Sequence, residues 1–177
     1  MFLLFRPYYS MNASAAIGGS YMQRKWEWPR VLIAVAAVAV TLGLGIFANF
    51  PQSQWYAQLK KPLFQPPDVV FAIVWGILYV MLGICAALLF GRKGYASQRI
   101  YVLFALNLVL NALYSLLFFK FHLIIWSMFA VMLLLWCTAF LLQDCWRLNR
   151  WTGALLFPYL LWVGFATVLH YVIAMLN

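Results

Sequence analysis

The chain has 177 residues, 67% hydrophobic and 8% charged, with a net charge of +9 and a mean hydropathy of +0.92. A water-soluble domain carries about a quarter of its residues as charge, so most side chains here must face lipid, and a soluble globular fold is excluded. The basic excess does not describe a nucleic-acid binder either, because that function needs cations clustered on a folded, water-exposed face.

The first 30 residues, MFLLFRPYYSMNASAAIGGSYMQRKWEWPR, read as a cytoplasmic tail. MFLLF is too short for a signal-peptide core and is interrupted at once by Arg6 and Pro7. A helix needs ~20 apolar residues to cross ~30 Å of hydrocarbon, and five windows meet that length, at about 31–50, 69–90, 100–119, 123–142 and 153–176. The fold class expected is therefore an all-α integral membrane protein, a bundle of five transmembrane helices. Continuous apolar runs disfavour a β-barrel, whose strands alternate.

Between the first two spans, residues 51–68 contain WYAQLKKPLFQPP. A hairpin connection needs only a few polar residues. This one has paired aromatics, a lysine pair and three prolines, which stiffen a long loop. In the second span Phe71, Trp75 and Tyr79 recur every four residues and share a helix face. Asn107, Asn111 and Ser115 do so in the third span, and Trp162, Ala166 and His170 in the fifth, with Tyr159 at the edge of that stripe. Rings and amides on three helices suit the wall of a cavity for a flat, largely apolar ligand. They equally suit a packed bundle, in which the asparagines form interhelical hydrogen bonds. Trp26, Trp28, Trp55, Trp126, Trp146 and Trp151 fit the aromatic belts at the two membrane interfaces. Pro158 is expected to kink the fifth span near its start.

Five spans place the N-terminal tail and the second and fourth loops on one side. These carry Arg6, Arg24, Lys25, Arg30, Arg92, Lys93, Arg99, Arg147 and Arg150, against Lys60, Lys61 and Lys120 on the other. The positive-inside rule then sets the N-terminus in the cytoplasm and the 51–68 loop outside. The only acids are Glu27, Asp68 and Asp144, each near a helix end, so no carboxylate is available mid-membrane for ion coupling. Cys85, Cys137 and Cys145 have no CxxC spacing and no companion histidines. They read as small apolar fillers, and no metal site is expected.

The motifs resemble those of the TspO/MBR translocator proteins, the tryptophan-rich sensory proteins also called peripheral-type benzodiazepine receptors. WYAQLKKPLFQPP resembles that family's WYxxLxKPxWxPP, and VVFAIVWGILYVMLG its VWxxLYxxMG region. NLVLNALYSLLFF is similar to QLxLNxxWxxxFF, and PYLLWVGFATVLHYVI to PYLxWxxFAxxLNxxI. The resemblance runs from about the first span to the last residue. It implies a pocket among five helices, covered by the first loop, that binds porphyrins such as protoporphyrin IX, or another flat apolar molecule. It requires no cofactor, and the porphyrin is the ligand.

Pocket positions implied by the resemblance, together with the stripes, are Phe71, Trp75, Tyr79, Asn107, Asn111, Tyr114, Tyr159, Trp162, Ala166 and His170. Trp55, Leu59, Lys61, Pro62, Phe64, Pro66 and Pro67 match the lid, whose lysines would meet ligand carboxylates from above. No catalytic residue is assigned. If a light-dependent porphyrin degradation operates, Trp75 and Trp162 are the redox candidates, and facilitated transport of another amphipathic or sterol-like ligand is a further alternative. Phe64 and Tyr114 stand where the family has tryptophan, Asn107 where it has glutamine and His170 where it has asparagine, and Val69 replaces a common aromatic. A sterol motif would need a basic residue after Val168 and Tyr171, and none follows before Asn177. Gly83 and Ala87 form one small-xxx-small pair compatible with a homodimer. The membrane expected is the bacterial plasma membrane; family members in the mitochondrial outer membrane leave that compartment open.

Overall fold

The structure, a computed structural model, describes residues 26–49 and 54–177. Most of the expected tail (residues 1–25) and residues 50–53, at the start of the loop, lie outside the described residues. Six α-helices follow in chain order: α1 (Trp28–Asn49), α2 (Gln54–Gln58), α3 (Asp68–Phe90), α4 (Gln98–Ser115), α5 (Ile124–Leu148) and α6 (Arg150–Leu176). A π-helical turn, Leu116–Lys120, extends α4. Five helices are long and apolar enough to cross a membrane, and no strand occurs among the described residues. In hydrocarbon every backbone N–H and C=O must be satisfied internally, and these continuous apolar sequences satisfy them as helices. Their outward faces carry large apolar side chains such as Leu32, Ile77, Val109, Leu133 and Trp136. Trp28, Trp126, Trp146 and Trp151 are also exposed.

Helix ends have local causes. Ser97 caps α4 by accepting from Ile100 N at 3.3 Å, and Asn149 caps α6 by accepting from Trp151 N at 2.9 Å. Asp68, in the first turn of α3, suits the positive end of the helix dipole. Helix α1 starts at Trp28, inside the stretch expected as tail, because Pro29 in the first turn lacks only an N–H that would be unpaired there anyway. Pro158 lies within the uninterrupted helix α6. The α4–α5 connection is tight: Phe121 N donates to Leu116 O at 3.0 Å and Leu123 N to Leu117 O at 2.8 Å. His122 takes a left-handed φ of 58° to reverse the chain.

The helices close into a ring. Helix α1 touches α3 and α4, α4 touches α5, α5 touches α6, and α6 returns to α3. One half of the interior is filled with apolar side chains, including Leu82, Cys85 and Leu89 from α3, Leu141 and Cys145 from α5, and Leu156 and Val163 from α6. At that end the basic loops gather. Arg99 pairs with Asp144 at 2.8 Å, Arg30 pairs with Glu27, and Asn149 Nδ2 donates to Tyr95 Oη at 3.1 Å. Gly153 is required there, since a Cβ would drive into the Trp146 ring and backbone. At the opposite end Phe118, Leu169 and Ile173 form a second cluster, and Trp55, Tyr56 and Leu59 of the loop pack onto it. The short helix α2 therefore sits over the open half of the ring.

Candidate functional site

Beneath α2 lies a cavity of about 510 Å³, within the range of small-molecule sites. Helix α3 supplies Phe71, Trp75 and Tyr79 to one wall, one helical turn apart. Trp75 and Tyr79 tilt against each other with ring centroids 5.8 Å apart. Asn111, Tyr114 and Ser115 of α4 face them, and the π turn adds Phe118 and Phe119. Tyr114 and Phe118 are parallel, 6.2 Å apart and inclined by 4°. Helix α6 contributes Ala166, Leu169, His170 and Ile173. Asp68, Val69, Ala72 and Tyr56, with Gly45 and Ile46 of α1, complete the lining.

From the cavity floor inward, five buried side chains from four helices form one continuous hydrogen-bond chain. Tyr79 Oη donates to Asn111 Oδ1 at 2.9 Å, Asn111 Nδ2 to Tyr159 Oη at 2.9 Å, and Tyr159 Oη to Asn107 Oδ1 at 3.0 Å. Asn107 Nδ2 then donates to Thr138 Oγ1 at 2.7 Å, and Thr138 Oγ1 to the backbone oxygen of Leu134 at 2.7 Å. Buried polar groups in low dielectric need such full pairing. On the α6 wall His170 Nε2 lies 3.1 Å from Ile124 O and 3.0 Å from Ser127 Oγ.

The loop is fastened at several points. Trp55 stacks on His122 and meets Phe118 edge-on, while Tyr56 packs edge-on against Phe118 and beside Phe119. Gln65 Nε2 donates to Tyr56 Oη at 3.1 Å, and Lys61 Nζ sits 3.8 Å above the Tyr56 ring. Burial, and then the charge of Asp68, push the Tyr56 phenol above its ordinary pKa of 10.0, against the opposing hydrogen bond from Gln65. Asn177 clamps the loop from the last helix: its Oδ1 accepts from Lys60 N at 3.0 Å and its Nδ2 donates to Lys60 O at 3.1 Å.

Of the residues singled out from sequence, Phe71, Trp75, Tyr79, Asn111, Tyr114, Ala166 and His170 line this cavity. Asn107 and Tyr159 lie below it, in the hydrogen-bond chain. Trp162 contacts Phe71 edge-on at 5.3 Å but lines a separate apolar groove of about 350 Å³ between α3 and α6, beside Met81 and Pro158. Its indole N–H is buried without a hydrogen-bond partner. In the loop, Trp55 and Leu59 pack on the second cluster, and Phe64 reaches Phe165 edge-on at 6.4 Å while remaining half exposed. Pro62 and Pro66 are partly buried, and exposed Pro67 leads directly into α3. Lys61 is partly buried, its ammonium over the Tyr56 ring.

Sequence reasoning passed over Gly45, Ile46, Tyr56, Asp68, Ala72, Phe118, Phe119, Leu169 and Ile173 as cavity residues. Tyr56 adjoins the flagged Trp55, and Leu169 adjoins His170, so both were within reach of the same stripes. No three His, Cys, Asp or Glu residues are grouped to hold a metal among the described residues, and the three cysteines are free and buried.

The sequence model of the TspO/MBR family matches residues 32–176. The chain is 32% identical over 155 residues to the tryptophan-rich protein TspO of Chlorobaculum tepidum, covering 84% of this chain and 98% of that one. It is 31% identical over 151 residues to protein CrtK of Rhodobacter capsulatus, covering 82% and 92% respectively. To the translocator protein of Homo sapiens it is 29% identical over 140 residues, covering 76% and 83%.

Proposed function

The chain belongs to the TspO/MBR family, a multi-pass membrane protein, and on that premise we propose that it is a receptor or carrier for flat, porphyrin-like tetrapyrroles. The observation that carries this reading is the ring-walled cavity of about 510 Å³ roofed by the 54–67 segment. Phe71, Trp75, Tyr114 and Phe118 offer faces and edges for a planar aromatic ligand. Lys60 and Lys61, in the roof segment, are placed to meet carboxylates at a ligand's outer edge if the roof shifts. The reading requires no cofactor. The bias of basic residues towards the opposite end supports a cytoplasmic N-terminus and an external roof. The bacterial relatives fit a plasma membrane. A Cβ at Gly83 would meet nothing within 4 Å, which leaves that face of α3 open to a second copy.

Light-dependent porphyrin degradation is the second reading. It draws on Trp75 in the cavity wall and Trp162 one ring behind it, through Phe71. Both readings meet in one experiment, quenching of tryptophan fluorescence by protoporphyrin IX in darkness and then under illumination. Saturable dark quenching that Asn111→Ala weakens supports the receptor. Bleaching that needs intact protein, and fails with Trp75→Phe, moves the conclusion to the enzyme. Without saturable quenching the tetrapyrrole reading falls.

A further inference from the structure

The hydrogen-bond chain under the cavity has a direction, and chemistry fixes it. Thr138 Oγ1 stands 2.7 Å from Leu134 O. Two oxygens approach that closely only with a proton between them, and a carbonyl has none, so Thr138 donates. Its oxygen must then accept from Asn107 Nδ2, which turns Asn107 Oδ1 towards Tyr159 and makes Tyr159 the donor there. Tyr159 can accept only from Asn111 Nδ2, so Asn111 Oδ1 is left to accept the Tyr79 proton. At its cavity end the chain terminates in a Tyr79 oxygen whose hydrogen is already committed.

Two neighbours point the same way. Ser115 spends its hydroxyl hydrogen on Asn111 O at 3.2 Å. Nε2 of His170, 3.1 Å from a carbonyl oxygen, carries the ring proton in the neutral imidazole and leaves Nδ1 as an acceptor. Tyr79, Ser115 and His170 all line the cavity.

We infer that the cavity floor is a hydrogen-bond acceptor that selects flat aromatic ligands bearing an N–H or O–H on the edge that enters first, and that Thr138, outside the cavity, sets this polarity. The inference rests on reading the cavity as a ligand site, but not on the ligand being a tetrapyrrole. Asn111 keeps a second amide hydrogen, so a carbonyl ligand is not shut out; it ranks below a donor. Thr138 is a positioning residue. Replacing it with valine removes the fixed terminus, and the chain is then free to reverse until Tyr79 offers its O–H to the ligand.

Three tricyclic probes of nearly one shape test this: carbazole with an N–H, fluorene with a CH2, and 9-fluorenone with a carbonyl at the same position. Titrated into the full-length protein in detergent, carbazole is expected to bind on the order of tenfold more tightly than fluorene, the size of one buried neutral hydrogen bond, with 9-fluorenone below carbazole. In Thr138→Val the carbazole preference shrinks and the 9-fluorenone affinity rises, whereas Thr138→Ser keeps the original order. Equal binding of carbazole and fluorene by the unaltered protein overturns the inference, whether or not the variants fold. A uniform loss across all three probes in Thr138→Val reduces Thr138 to a structural role and overturns its part. If protoporphyrin IX binds and none of the probes does, the floor is not a ligand contact. If the donor preference holds and protoporphyrin IX does not bind, the tetrapyrrole reading falls and the polarity stands.

Discussion

Trp55 lies face to face with His122, ring centroids 4.1 Å apart and planes inclined by only 18°. The pair joins the roof helix to the one described non-glycine residue with a left-handed φ, in the reversal between α4 and α5. His122 is held there by the chain reversal, so the roof docks on a fixed platform. Trp55→Ala removes the stack and the edge contact with Phe118. Aromatic pairs contribute about 0.5–1.5 kcal/mol each beyond burial, so losing both should accelerate ligand dissociation by roughly fivefold to a hundredfold. Stopped-flow fluorescence after dilution measures it; an unchanged off-rate means the roof does not gate release.

The roof should also loosen in alkali. The folded protein holds the Tyr56 phenol above its ordinary pKa of 10.0 because burial and Asp68 disfavour the phenolate. The folded state therefore binds this proton more tightly than the unfolded state. Its contribution is complete below the ordinary value and is lost as pH rises through the higher folded value. Limited proteolysis of the 54–67 segment across that window should show accelerating cleavage. In Tyr56→Phe the phenol-dependent part of that acceleration should vanish, since no phenol titrates.

Tyr159→Phe tests the floor as a structural element. A single interhelical hydrogen bond in lipid contributes on average about 0.6 kcal/mol. This substitution leaves both Asn111 Nδ2 and Asn107 Oδ1 without their partner. Unpaired buried groups cost about 1–3 kcal/mol each, so the loss should exceed the single-bond figure clearly. Thermal unfolding in detergent reads it, and a change within error would mean that the two asparagines re-pair with each other.

Ala166→Phe separates binding from folding. Ala166 is buried but its side chain abuts the cavity, so the larger ring has empty space to fill and avoids the 1–3 kcal/mol that overpacking usually costs. Porphyrin quenching should weaken more than tenfold with the melting temperature nearly unchanged. Retained affinity would place the ligand elsewhere, with the α3–α6 groove beside Trp162 the next place to look.

The fold was legible because five apolar runs leave a membrane chain no other way to satisfy its backbone. The site was legible where a regular helix carries it. A four-residue spacing groups Phe71, Trp75 and Tyr79, and all three line the cavity. The same arithmetic on α6 put Trp162 with Ala166 and His170, but Trp162 turns to the groove against α3, a matter of how α6 is rotated in the ring and not of its own sequence. Phe118 and Phe119 depend on the π turn. That turn inserts a residue into the helical phase, and nothing in LLFFK announces it. Asn107 and Tyr159 were flagged for their chemistry, but their direct bond and the link from Asn107 on to Thr138 need three helices at their final spacing.

The clamp between Asn177 and Lys60 spans 117 positions of sequence, and this bears on the order of assembly. The roof segment is synthesised early, directly after the first helix, yet its fastening on α6 is made only after the fifth membrane helix has been delivered. Until then the growing chain holds a cavity with one wall absent, its roof resting only on the reversal between α4 and α5. Cargo captured during biogenesis would therefore have to be retained without the clamp, and closure coincides with completion of the bundle.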